Sequence, residues 1–345
     1  MLDLKKLKKD PKSVADNLKK RGFKLDLDKW DKLEASRKSL QSDMENMQAE
    51  LNEISKEIGI HKKEGSDSSK LEKKASGITL KIKSQSKELT PVLEDLDDFI
   101  SSIPNLIDDD VPEGNGEEDN VELRTSGNLR DFTFTPKDHL ELGSKLGGID
   151  MESGVKISGA RFAVLNGDLA RLQRTLINFM IDIHTKEHNY EEVYVPYVVN
   201  SDSLFGTGQL PKFEEDLFKL QGKENFYLAS TAEVPVTNLL RDEILESKDL
   251  PAKFVCHTPC FRSEAGSYGL DTKGIMRLHQ FEKVELVQAV EEKDSDTALD
   301  ELTGHAEEIL KRLELPYRVV TLCSGDIGFS AAKTYDVEVW IPSQN

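Results

Sequence analysis

The sequence has little of what marks membrane, secreted or metal-stapled proteins. No apolar run approaches the ~20 residues that a membrane-spanning helix needs. The start, MLDLKKLKKDPKSVADN, is charged throughout and has no signal-peptide apolar core. A soluble, cytoplasmic protein with no membrane partner is therefore expected. Cysteine is scarce: Cys256, Cys260 and Cys323 form no CxxC pair and leave an odd count, which fits reduced core thiols. His257 lies between two of them, but CHTPC matches no common zinc spacing and offers no second ligand pair, so no metal is expected there. Both GxGxxG and the Walker P-loop are missing, so any nucleotide must be held in some other way.

What the sequence does have is charge, unevenly spread. The net charge is −18 over 345 residues. Residues 1–90 carry 22 Lys and Arg against 16 Asp and Glu, and the remainder carries 24 against 48. A basic segment joined to an acidic body suits a nucleic-acid-facing element, although a solvated helical face explains the same excess.

The helical signals are strong in the basic segment. Asp10 as N-cap, Pro11 at the first helical position and Gly22 as the stop bracket one helix. Beyond it Leu40, Met44, Met47, Leu51, Ile54 and Ile58 alternate spacings of 4 and 3. A second series does the same from Leu71 through Ile78, Ile82, Leu89 and Leu96 to Ile103, with Gln85 its one polar member. Two heptad series joined by the polar stretch HKKEGSDSS predict an antiparallel helical hairpin. With arms of about 30 residues, it would reach roughly 45 Å. Lys62 and Lys63 at the tip, with Lys70, Lys73 and Lys74 on the returning helix, suit a phosphate backbone read by charge and shape, or simply a solvated coiled coil.

IPNLIDDDVPEGNGEEDN (103–120) ends this pattern. The expected division is a helical arm over 1–103, an acidic linker over 104–120 and a second domain over 121–345. That domain has an amphipathic helix from about Gly167 to Glu187 and another near 297–313. Between and around them lie short β-rich pieces: EEVYVPYVV, NFYLAS, KFVCHTPCFRSEA, MRLHQFEKVELVQ, YRVVTLC and YDVEVWIP. Few βαβ alternations argue for an α+β fold on a mainly antiparallel sheet.

CFRSEAGSYGLDTKGIMRLHQFEKVEL predicts strand, loop and strand. Arg262 and Glu264 sit two apart, so a strand would put them on one face. Arg277 on the return supplies a second guanidinium fork suited to phosphate or carboxylate. Phe281 and Glu285 continue its face at even spacing, one able to stack on a base and the other to meet an ammonium group. Gly266, Gly269 and Gly274 allow close backbone approach to a ligand. Nucleotide binding is one reading; ordinary salt bridging on an exposed hairpin is the other.

FRSEAGSYGLDTKGIMRLHQFEKVE resembles the motif 2 hairpin of class II aminoacyl-tRNA synthetases, specifically the seryl-tRNA synthetases. The resemblance extends through GARFAVLNGDLARLQRTL, VPYVVNSDSLFGTGQLPKFEEDLF, ASTAEVP and CSGDIGFSAAKTYDVEVWIPSQN, and covers the chain from the helical hairpin onward. It implies a ligase that activates L-serine with ATP to seryl-adenylate and transfers it to tRNA-Ser, with tRNA-Sec as a further family substrate. It also implies the class II antiparallel sheet flanked by helices, Mg²⁺ beside ATP, and a coiled-coil arm that reaches the long variable arm of the tRNA. Carried over by position, Arg262 would contact the α-phosphate and the serine carboxylate, and Arg277 the γ-phosphate. Ser263 and Glu264 would lie at the ATP site, Glu264 by the adenine, and Phe281 would stack on the base. Thr231, Ala232 and Glu233 match the serine-binding loop, and Glu285 the acceptor for the serine ammonium. The helix up to Glu187 and the strand bearing Pro196 resemble motif 1, which implies a homodimer. Serine would be told from alanine and threonine by a site that bonds the hydroxyl and leaves no room for a methyl.

The sequence ends at WIPSQN, whereas family members continue into a strand with a Mg²⁺- and ATP-binding glutamate and then into motif 3. The metal ligand is thus expected beyond Asn345, and YDVEVWIP is expected to be a strand short of a neighbour. A partial sequence of a complete enzyme is expected. The alternatives are a paralogue that binds tRNA-Ser without charging it, and a serine-activating enzyme that loads another carrier.

Overall fold

The computed structural model describes residues 2–265 and 274–344. Gly266 and Gly269 lie outside the described residues. The chain divides into two units, Met1–Ile107 and Asp108–Asn345.

The first unit holds α1 (Leu4–Lys9), α2 (Pro11–Lys20), α3 (Leu27–Glu64) and α4 (Ser69–Ser101). The Asp10 carboxylate caps α2 by accepting from the Ser13 amide, Pro11 follows it, and Gly22 takes φ +69° just past the end. The extra helix α1 was not legible as one: Asp3 caps its single short run, and Leu7 is fully buried beneath it. The paired helices are longer than expected, 38 and 33 residues, or about 57 and 50 Å at 1.5 Å per residue. Much of HKKEGSDSS is therefore helix, and the reversal is confined to 65–68, where Gly65 closes α3 at φ +67°.

The seam follows the heptads. Ile54 and Ile78 are buried in the outer third of the ribbon and Leu96 and Phe99 near the base, while the seam positions between them, among them Met47, Leu51, Ile82 and Leu89, are half-buried. Gln85, the polar member, donates across the seam to Asp43 Oδ2 at 3.3 Å. A two-helix ribbon buries little, so the first unit's stability rests on its base, where Leu7, Val14, Leu18, Trp30, Phe99 and Ile103 form one core.

The stretch expected as a linker is packed rather than free. Ile103 and Ile107 are buried in the first unit, and the Ile107 amide and carbonyl both bond the Asn17 side chain. In the second unit Asp108 donates to the Ala332 carbonyl, and Ser324 donates to that of Pro112. The acidic composition reported exposure of side chains and missed the backbone pairing beneath them.

The second unit runs β1 (Val121–Ser126), α5 (His139–Lys145), β2 (Ile149–Asp150), α6 (Met151–Ser158), β3 (Val164–Leu165), α7 (Gly167–Lys186), β4 (Glu191–Glu192), β5 (Val198–Asn200), α8 (Ser201–Gly206), β6 (Phe226–Leu228), α9 (Glu233–Thr237), β7 (Ala252–Phe261), β8 (Gln280–Ala289), α10 (Ser295–Arg312), β9 (Tyr317–Thr321) and β10 (Tyr335–Val339). The described strands form four small sheets, ordered β1-β9-β10, β2-β3, β4-β7-β8 and β5-β6. Every pairing is antiparallel except β4 with β7. Among the described residues β10 pairs only with β9. The fold is α+β, long helices followed by antiparallel sheets with helices. No helix among the described residues is long and apolar enough to cross a membrane.

The centrepiece is the ten-residue pair β7–β8, in unbroken register from Ala252 opposite Ala289 to Phe261 opposite Gln280. Two apolar clusters hold the segment beside it. Ala229 and Val234 pack with Val199, Leu204, Leu217 and Tyr227, whereas Ala232 and Val236 pack with Val195 and Cys256. Residues 230–233 are pinned from both sides and presented to the hairpin.

Candidate active site

A cleft of about 440 Å³ opens at the loop end of β7–β8. Six of the residues singled out from the sequence or next to them line it: Ser230, Thr231, Glu233, Arg262, Glu264 and Arg277. Gln209, Phe213, Asp216 and Leu217 complete the wall. A larger cavity of about 760 Å³ runs along β1, β9 and β10. The cation there, Arg318, is paired within the wall, with Glu338 at 2.6 Å and Glu122 at 3.9 Å. The smaller cleft is the one lined by two arginines, Arg262 and Arg277, together with carboxylates and the Phe213 ring.

The expected strand geometry of Arg262 and Glu264 is not what brings them together. β7 ends at Phe261, and Glu264 has φ +53°. Period-2 alternation stops where the strand stops, so both reach the cleft from a turning loop. Arg277 likewise precedes β8 and shares no strand face with Phe281. Its guanidinium instead bonds Glu264 Oε2 at 3.1 Å. The loop ends are tied together by His279: its carbonyl accepts from the Arg262 amide at 3.0 Å, and its Nδ1–H donates to the Arg262 carbonyl at 2.9 Å. Gly274 is in the left-handed region at φ +81°, and a Cβ there would fall 2.2 Å from His139 Nε2.

Arg262 lies over the face of Phe281, with its guanidinium carbon 5.2 Å from the ring centroid, and Nε donates to the Ser230 carbonyl at 3.3 Å. Cation and ring are thus stacked on each other, one leaving its outer side for phosphate or carboxylate. Ser263 departs from expectation. Its amide donates to the Asp216 carbonyl at 2.9 Å and its hydroxyl to the Glu215 carbonyl, so it faces the 213–218 loop rather than the cleft. Asp216 also accepts from the Ala265 amide at 3.1 Å, fixing the turn just after Glu264. No local periodicity points to Asp216, which lies far upstream in the chain.

The opposite wall is anionic. Thr231 Oγ1 donates to Glu285 Oε2 at 2.6 Å, and the Glu233 amide approaches the same oxygen at 3.3 Å. Lys283 Nζ reaches both Thr231 Oγ1, at 2.6 Å, and Glu285 Oε2, at 2.7 Å. Lys283 was missed from sequence, although it sits between Phe281 and Glu285 at even spacing on one strand face. Ala232 is fully buried and packs with Val195, Val236 and Cys256, so its part is packing rather than contact with a ligand. Desolvation first, and the Glu285 charge second, push the Glu233 carboxyl above its ordinary value, even though the side chain still touches solvent. Burial pushes the Cys256 thiol up to about 11, and Cys260 is shifted the same way, so both are inert.

At the hairpin tip of the first unit all five singled-out lysines are exposed. Lys62 pairs with Glu72 at 2.9 Å and Lys74 with Glu50 at 2.6 Å. Exposed pairs of this kind cost little to exchange for another anion.

Comparison with known proteins agrees over the whole length. Residues 1–107 match the seryl-tRNA synthetase N-terminal domain, and residues 215–345 match the tRNA synthetase class II core domain (G, H, P, S and T). The chain is 54% identical to a serine–tRNA ligase of Teredinibacter turnerae and 56% identical to one of Cellvibrio japonicus, in each case over 100% of this chain and 81% of the relative. Its structure resembles that of seryl-tRNA synthetase from Pyrococcus horikoshii complexed with ATP, with TM-score 0.87 and 34% identity, covering 100% of this chain and 82% of that one. It also resembles the cytoplasmic serine–tRNA ligase of Naegleria fowleri in complex with AMP, with TM-score 0.82 and 28% identity over 97% and 80% of the two chains. With both family models matched and relatives more than half identical along its whole length, the chain belongs to the seryl-tRNA synthetase family of class II aminoacyl-tRNA synthetases, the serine–tRNA ligases.

Proposed function

We propose that the cleft activates L-serine with ATP and that the adenylate is passed to tRNA-Ser. The observation that carries this reading is the opposition of Arg262 over Phe281 to the Thr231–Glu285 wall. An amino acid laid across the cleft puts its ammonium on Glu285 and Thr231 and its carboxylate toward Arg262. ATP then stacks its base on Phe281, with Arg277 and Glu264 beside it. The carboxylate oxygen attacks the α-phosphorus in line, a new C–O–P link forms, and the bond to the β-phosphate oxygen breaks, releasing pyrophosphate. The terminal ribose hydroxyl of the tRNA attacks the resulting mixed anhydride and AMP departs. Arg262 contributes by holding carboxylate and α-phosphate together and by offsetting charge on the phosphoryl oxygens. No group of three or more His, Cys, Asp or Glu side chains among the described residues is placed to hold a metal ion. Mg²⁺ beside a nucleotide is held by one or two carboxylates together with phosphates and water, and no step of the reaction is routed through it.

The exposed lysines Lys62, Lys63, Lys70, Lys73 and Lys74 would meet the tRNA backbone. A second copy of the chain would cover α7 and the segment after β4, where Leu172 and Tyr194 are exposed by 49% and 84%. These surfaces favour a homodimer that serves tRNA. The test is exchange of labelled pyrophosphate into ATP. It should require L-serine and be at least about tenfold weaker with L-alanine or L-threonine; exchange indifferent to the amino acid would refute the reading.

A further inference from the structure

The wall assigned above to the substrate ammonium already contains an ammonium. Lys283 Nζ bridges Thr231 Oγ1 and Glu285 Oε2 at 2.6 and 2.7 Å. The Thr231 hydroxyl has one proton and two lone pairs. The proton goes to Glu285 at 2.6 Å, and the lone pairs receive Lys283 and the Glu233 amide, the latter at 3.2 Å. Its bonding capacity is full. An incoming amine that is to use this hydroxyl has to replace a donor, and of the two only Lys283 sits on a flexible stem. Its side chain is 31% exposed, so it has an outlet to solvent. The exchange swaps one positive charge for another and leaves neither Glu285 nor its neighbour Glu233 uncompensated, which is the condition for moving a charge out of a half-buried site at low cost.

We infer that Lys283 is an internal occupant of the amine subsite, displaced by the substrate's own ammonium, and that it screens the cleft against carboxylic acids lacking an amine. This rests on the reading of Glu285 and Thr231 as the amine wall. A ligand with an ammonium replaces Lys283 like for like. A hydroxy acid of the same size has nothing with which to release Lys283, and meets two carboxylates besides.

The test is equilibrium dialysis of labelled L-serine, ethanolamine and glycerate against the full chain and its Lys283→Met, Lys283→Arg and Glu285→Gln variants, each checked for a wild-type melting curve. Lys283→Met keeps the apolar stem and removes the competitor. It should bind L-serine and ethanolamine about tenfold more tightly, since the gain resides at the ammonium. Glycerate, which never displaced the lysine, should not gain. Lys283→Arg, which restores a cation, should return serine binding toward wild type. Serine binding that weakens or stays level in Lys283→Met, while Glu285→Gln weakens it, overturns the inference and leaves the amine wall standing. Unchanged serine binding in Glu285→Gln removes the wall itself, and the inference with it. If Lys283→Met does not fold, Lys283→Gln replaces it in the same comparison.

Discussion

The helical arm and the β7–β8 cleft solve opposite problems. The arm places a few exposed cations at the end of a two-helix ribbon, and in the proposed contact with a phosphate backbone, met by charge and shape, no single one of them has to be positioned to better than a side-chain length. The cleft, lined by Thr231, Arg262, Glu264 and Arg277 with Lys283 and Glu285 bonded to Thr231, draws on three chain segments, and there a misplacement of about 1 Å matters to the chemistry. Function that depends on charge density tolerates a thin scaffold, whereas function that depends on convergence needs one pinned on both sides. The clusters around Ala229 and Ala232 supply that pinning.

This contrast can be broken by single changes. The largest effect is expected from Arg262→Ala, which removes the group proposed to hold carboxylate and α-phosphate. Serine-dependent pyrophosphate exchange should fall by about 10²–10³-fold, while tRNA affinity measured by filter binding stays within twofold or so. A parallel loss of tRNA binding would mean that the two functions are not separable in this way.

Next is the base of the arm. Leu18 is fully buried there, and Leu18→Ala should cost roughly 2–5 kcal/mol in denaturant unfolding of the first unit. Truncation of Leu80, which is 66% exposed on α4, should change almost nothing by the same measurement.

The second unit carries a cluster of histidines around a buried imidazole. His184 is buried, its Nδ1 is 3.0 Å from that of His188, and His188 stacks on His305 with ring centroids 3.9 Å apart. Burial first, and the neighbouring imidazoles after it, lower His184 from the ordinary 6.5 to about 4. Between those values the unfolded chain takes up a proton that the folded chain refuses. Stability of the second unit is therefore complete above about pH 6.5 and falls as pH drops toward 4, by up to about 3 kcal/mol. Urea melts at pH 7 and pH 4.5 measure it. His184→Phe should flatten this leg if the variant folds, and an unchanged slope would assign the acid sensitivity to other groups.

The smallest effect should come from the arm's surface. Replacing Lys63, Lys70 and Lys73 together by alanine should weaken tRNA binding about tenfold and make the slope of log affinity against log salt about 2 units shallower, at ~0.7–0.9 per phosphate contact. Exchange activity should be unaffected. A slope that does not change would point to a solvated face with no role in tRNA binding.

How much of this was legible depended on distance along the chain. Heptad spacing located the α3–α4 seam down to Gln85, since helical periodicity is written in neighbouring residues. Asp10 and Pro11 marked the start of α2 for the same reason. Arg262, Arg277, Phe281 and Glu285 were recognisable as a set, but the strand argument that joined them failed beyond Phe261, because the loop takes Glu264 to positive φ. Ser263 and Ala232 were adjacent to functional residues in sequence and turned elsewhere in the structure, one to the 213–218 loop and one into the core.

By itself the sequence determined the two-helix arm, the excess of lysine along it, the pair of long strands and the identity of the chemically capable side chains. Those properties are local: they follow from periodicity, caps and composition within a few turns or one strand. Only the tertiary structure decided that Thr231 meets Glu285 across 54 positions, that Lys283 fills the space between them, and that Asp216 fastens the turn after Glu264. Such meetings arise when separate segments are pressed together by apolar clusters, and the burial that drives them has no direction and leaves no spacing in the chain to read.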